Sequence, residues 1–95
     1  MLTVNVYRWR DDVHSVEDTK RIMEAFGQRG SSPDELAHYV FADGTGGVVI
    51  TDGEDVGWAY RNALDFVEFL DMDRSFSQIA LTLADALPHV VDRMG

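Results

Sequence analysis

Polar and apolar residues alternate from the first positions of the chain. Leu2, Val4 and Val6 fall on one face and Thr3, Asn5, Tyr7 and Trp9 on the other, the period-two pattern of a strand, which Arg10-Asp11-Asp12 ends. The aliphatic set suits a core covered by helices, so the aromatic set is expected to face outward. From Ser15 the period lengthens. Ser15 is a good N-cap with Asp18 three residues on, a capping box with a shorter acid. Val16, Ile22, Met23 and Phe26, with Thr19 bridging the gap, mark the buried stripe of a helix running to about Arg29. Gly27 and Gly30 supply stop signals, and Ser31-Ser32-Pro33 forms the connection.

The stretch Ala37 to Asp52 reads as a hairpin. Tyr39-Val40-Phe41 and Val48-Val49-Ile50-Thr51 are β-branched or aromatic residues that fit a pleated surface. Between them, Asp43-Gly44-Thr45-Gly46-Gly47 has the Asp-Gly turn signal, because glycine reaches positive φ without a Cβ clash. A phosphate-cradling loop would lead from the glycines into a helix N-terminus. Here the glycines lead into another strand, and no Gly-Lys-Ser/Thr follows.

The spacing predicts a second helix over Glu54 to Leu70, with Val56, Ala59, Tyr60, Ala63, Val67 and Leu70 inward, Trp58, Leu64 and Phe69 on its flanks, and Arg61 pairing with Asp65. After the charged turn Asp71 to Arg74, a last strand is expected over Ser75 to Leu83. Phe76, Gln78, Ala80 and Thr82 share one of its faces. A short closing helix follows over Ala84 to Arg93. The order strand, helix, strand, strand, helix, strand buries its apolar faces most simply as one α+β domain over residues 1–95. It is a ferredoxin-like βαββαβ, with an antiparallel sheet of order 4-1-3-2, two helices on one face and the short C-terminal helix. Helices on one side leave the other side bare. On this reading Thr3, Asn5, Tyr7, Trp9, Phe76 and Gln78 form an exposed face that pairs two copies into a homodimer.

Composition narrows the chemistry. Seventeen acids against eight bases give a net charge of −9, a field that repels phosphate backbones and argues against nucleic-acid binding. The absence of cysteine excludes disulfides, thiolate catalysis and Cys-based metal sites, and fits a reducing cytoplasm. No apolar run approaches the roughly 20 residues needed to span a bilayer. The first residues lack the basic and apolar regions of a signal peptide, so a cytoplasmic location is expected. His14, His38 and His89 sit in no nucleophile elbow and at no metal-ligand spacing, so no metal or cofactor is expected. The pair Asp71 and Asp73 reads as a solvated turn.

The run FADGTGGVVITDGEDVGWAY resembles the aromatic-x-Asp-Gly-Ser/Thr-Gly-Gly, apolar strand, acid, helix segment of a family of small bacterial proteins in the dimeric α/β-barrel superfamily. The order of elements is similar from Leu2 to about Leu83, and the tail ADALPHVVDRM is similar to the way those proteins end. The resemblance implies a homodimer with a pocket between sheet and helices in each subunit. His38, Tyr39, Trp58, Tyr60 and Asn62 are the residues expected to line it around a small apolar or aromatic ligand. The superfamily includes cofactor-free monooxygenases, haem-degrading enzymes and isomerases, but no enzyme motif transfers to this chain. The alternatives are thus a cofactor-independent monooxygenase or isomerase acting on an aromatic substrate, and an acidic interaction module or inhibitor.

Overall fold

The computed structural model describes residues 1–29, 34–55 and 57–95. The expected features at Gly30, Ser31-Ser32-Pro33 and Val56 lie outside these. Among the described residues, four strands and three helices follow one another as β1 (Leu2–Arg8), α1 (Val16–Arg29), β2 (Glu35–Val40), β3 (Gly46–Asp52), α2 (Trp58–Asp65), β4 (Phe76–Ala80) and α3 (Leu83–Met94). The class is α+β, and the antiparallel sheet has the order β2-β3-β1-β4, which counted from the β4 edge runs 4-1-3-2. This arrangement is consistent with a ferredoxin-like fold.

Local chemistry sets several boundaries. The Ser15 hydroxyl accepts from the Asp18 N–H at 3.0 Å and starts α1. The Thr82 hydroxyl does the same for the Asp85 N–H at 3.1 Å and starts α3. In the hairpin, Gly44 takes the left-handed φ of 76° that the turn requires. The Asp43 carboxylate accepts from both the N–H (3.1 Å) and the hydroxyl (2.7 Å) of Thr45. Those two bonds favour the ionised form and hold its pKa below the usual carboxylate range.

The second helix is shorter than its apolar spacing predicts. It begins at Trp58, after Asp55 has closed a turn by accepting from the Gly57 N–H, and it ends at Asp65. Beyond that point the chain is drawn to the end of β1: the Arg10 N–H donates to the Phe69 carbonyl and the Asp71 N–H to the Arg8 carbonyl, both at 2.8 Å. A continuing helix would have used those groups internally. The break changes which side chains turn inward. Phe66, Phe69 and Leu70 form the buried cluster, against which Tyr7, Trp9, Val13, Ile22, Ala25, Phe26 and Ala63 pack. Tyr60 and Val67, expected inside, are exposed, as are Val16 and Met23 of α1. Arg61 turns back to pair with Asp55 instead of reaching Asp65.

The largest correction concerns the two faces of the sheet. Tyr7 and Trp9 point toward the chain's own helical layer: Trp9 meets Phe66 edge-on at 6.3 Å between ring centroids, and Phe66 in turn lies 4.8 Å from Phe26 of α1. Asn5 is buried on the same side. The expected outward set of Thr3, Asn5, Tyr7 and Trp9 is therefore the helix-facing set. Phe76 and Gln78 do not join it, because the register places Phe76 opposite Val6 and Gln78 opposite Val4. Directly opposed residues share a face, so the uncovered face carries Leu2, Val4, Val6, Val48, Ile50, Tyr39 and Phe76. Period-two alternation sorts residues into two sets without saying which set is inside. Here polar pairing decides it. The Asn5 amide donates to the Val49 carbonyl at 3.0 Å and its oxygen accepts from the Ser77 hydroxyl at 2.8 Å.

Candidate functional site

The helix-facing side of the sheet brings together a phenol, an imidazole and a carboxylate. Tyr7 lies opposite Gly47 on β3, and His38 stands on β2, one strand further out. A Cβ at position 47 would collide with the Tyr7 hydroxyl and the Tyr39 carbonyl. The missing side chain lets the Tyr7 ring cross β3, so that its hydroxyl reaches His38 Nε2 at 2.7 Å. On the other side of the imidazole, Nδ1 lies 3.9 Å from Glu35 Oε1. The phenol and the carboxylate thus flank the two ring nitrogens, an arrangement that orients the imidazole and offers one hydrogen-bonding edge.

The walls are aromatic. The Tyr7 ring meets Trp9 edge-on at 5.2 Å and His38 at 5.6 Å, and Phe26 lies 6.2 Å from His38. Partial burial raises the Tyr7 pKa above 10.0, because the phenolate loses more solvation than the phenol. On α2, Asn62 stands one turn before the buried Phe66. The Asn62 side-chain oxygen is buried and makes no hydrogen bond. An orphaned buried acceptor costs about 1–3 kcal/mol, so it favours any donor that reaches it.

The five expected pocket residues therefore separate. His38 and the Asn62 amide belong to the helix side of the sheet. Tyr39 lies on the opposite face, 62% exposed, because the register aligns it with Val48 and Val6. Tyr60 is 69% exposed on α2, and Trp58 is half-buried at its start, its N–H donating to the Asp55 carbonyl at 3.3 Å. Tyr7 was expected at a subunit contact and is instead the partner of His38. That meeting follows from cross-strand register and Gly47, neither of which alternation alone reveals.

Other groups are engaged elsewhere. Asp71 accepts from the Asp73 N–H (3.1 Å) and from Arg74 Nε (2.6 Å), and Arg74 also donates to Asp11 at 3.1 Å, so the charged turn is tied into ion pairs of its own. Among the described residues, no group of three or more His, Asp or Glu side chains is placed to hold a metal ion. No described helix is long and apolar enough to cross a membrane. No protein-family model matches the chain, and comparison with curated proteins and with solved structures finds no match.

Proposed function

We propose that this protein is a homodimer that holds a small aromatic or apolar ligand beside Tyr7 and His38. The observation that carries the reading is the 2.7 Å hydrogen bond between Tyr7 and His38, flanked by the Trp9 and Phe26 rings; the buried, unpaired Asn62 oxygen on α2 is a second acceptor. An acceptor without a donor, an oriented imidazole and aromatic walls suit a planar ligand bearing one hydroxyl or N–H. The helical layer is loosely closed: Tyr7, Trp9, Ile22 and Phe26 stay only partly buried, and no described side chain in the core is fully sealed from solvent. The resemblance to dimeric α/β-barrel proteins supports the same reading.

The pairing of two copies rests on the uncovered sheet face. An aliphatic surface flanked by Tyr39 and Phe76 is stable in water only when something shelters it, and a second copy meeting it about a two-fold axis does so. The chain exposes 6890 Å². A compact monomer of its mass exposes about 5,500 Å². The excess, about 1,400 Å² per chain, is more than the about 800 Å² each partner buries in an ordinary stable interface.

Titration with 1-naphthol, read by Trp9 and Trp58 fluorescence, tests the ligand site. Saturable quenching is expected, and Tyr7→Phe weakens binding about tenfold by removing one hydrogen-bonding group. Unsaturable quenching, or equal affinity in Tyr7→Phe, contradicts the reading.

A further inference from the structure

The C-terminal helix has an apolar stripe that no described residue of its own chain covers. Leu83, Leu87, Val90, Val91 and Met94 recur at helical spacing along α3, every one of them is exposed, and no residue of this helix is buried. Twelve residues make a helix about 18 Å long, too short to be stable in water without packing. Pro88 within it removes a backbone donor as well. The chain's longest dimension is 57 Å and its radius of gyration 15.8 Å, where a compact chain of 95 residues has about 12 Å.

At the root of this helix lies an unfilled apolar groove of about 430 Å³. It runs across the same end of all four strands, from Leu36 on β2 past Asp52 and Leu2 to Ile79 on β4. Met1, Leu36, Ile79 and Leu81 present aliphatic surface there while 51–66% exposed. Asp52, the acid at its floor, is occupied by the chain's amino terminus at 3.1 Å. Thr82 and Asp85, the cap and first turn of α3, form part of the rim. The groove joins the open sheet face through Leu2 and Ala80.

We propose that α3 is an exchanged arm: its apolar stripe seats in the Leu36–Ile79 groove of a second copy, and the partner's arm seats in this one. The inference rests on the homodimer reading and adds the segment that clasps it. A second copy is the occupant for three reasons. One chain carries both an unpartnered stripe and an unfilled groove of the same aliphatic character. Each arm leaves its subunit at the rim of the groove that receives the other, so a two-fold exchange places both contacts beside one axis and continues the sheet interface. The surface in excess of a compact chain is also larger than one ordinary interface requires. An anionic bilayer is disfavoured as the cover, because the chain carries a net charge of −9 and α3 itself presents Asp85 and Asp92.

The chain has no cysteine, so single-cysteine variants report one contact at a time. Full-length Leu87→Cys is mixed with full-length Ile79→Cys under mild oxidation, with Glu17→Cys, on exposed α1, as the control partner. The mixed Leu87–Ile79 dimer is expected to form at least about tenfold faster than the Leu87–Glu17 dimer, as seating in one groove raises the local concentration. The double variant Leu87→Asp/Val91→Asp is expected to weaken association at least about a hundredfold in sedimentation equilibrium. Its own fold is checked by circular dichroism, since α3 contributes nothing to the core. Self-crosslinking of Leu87→Cys in preference to Ile79→Cys overturns the exchange, and so does a double variant that associates as tightly as the parent. If the arm variant stays dimeric while a charge on the open sheet face dissociates it, the clasp is wrong and the homodimer stands. If the parent chain itself sediments as a monomer, both fail.

Discussion

The two faces of the sheet invert the usual division of labour. The face that the chain covers with its own helices is the more polar one, with Asn5, Ser77, Tyr7 and His38 satisfied by one another. The face away from the helices is aliphatic, with Val4 and Val6 opposite Ile50 and Val48, all four partly buried. A chain folding alone would gain more by covering the second face, at about 25 cal/mol per Å² of apolar surface. The arrangement is economical only when the bare face is sheltered from outside. Of these polar groups Asn5 is buried, while the Tyr7–His38 pair keeps access to solvent.

This contrast predicts unequal responses to mutation. The largest effect is expected at Phe66, 3% exposed at the centre of the covered side. Phe66→Ala should destabilise each subunit by about 3–5 kcal/mol, enough to unfold a marginal domain of this size, as read by urea denaturation. A loss under 1 kcal/mol would mean that the helical layer is not the core. Next comes Gly47→Ala. Its methyl group meets both the Tyr7 hydroxyl and the backbone of β2, so a loss of about 1–3 kcal/mol is expected. Tyr7→Phe in that background should recover little of the loss, because the Tyr39 carbonyl collision remains. Full recovery would show that the phenol alone sets the strain.

The smallest effect lies in alkaline pH. The Tyr7 pKa is raised in the folded state by desolvation, so the folded chain keeps a proton that the unfolded chain releases above about pH 10. Stability from this group is complete below that pH and falls as pH rises through the folded value. Tyr7→Phe should show a shallower decline of stability above pH 10 than the parent. Identical slopes would show that Tyr7 is as well solvated folded as unfolded.

Element types were legible where a local motif carries its own mechanism. Ser15 caps α1, and Asp43-Gly44 turns the hairpin. Thr82, read as a strand residue, instead caps α3. What escaped was anything decided across the chain. The early end of α2 depends on backbone bonds from Phe69 and Asp71 to Arg10 and Arg8, so helical spacing alone passes over Phe66 and turns Tyr60 and Val67 inward. The choice of sheet face depends on Asn5 finding Ser77, 72 positions away. His38 and Asn62 stood out as polar residues among apolar ones. Residue type alone groups Tyr39 and Tyr60 with them, but register and helix phase turn those two elsewhere.

Sedimentation equilibrium of the parent chain beside Val48→Asp tests the central claim most directly. Val48 lies on the bare face, opposite Val6 and away from the helices. The parent is expected at twice the 10.7 kDa chain mass, and Val48→Asp at the mass of one chain with its circular dichroism unchanged. A parent that sediments as a single chain at micromolar concentration, or a Val48→Asp variant that remains paired, would contradict the account.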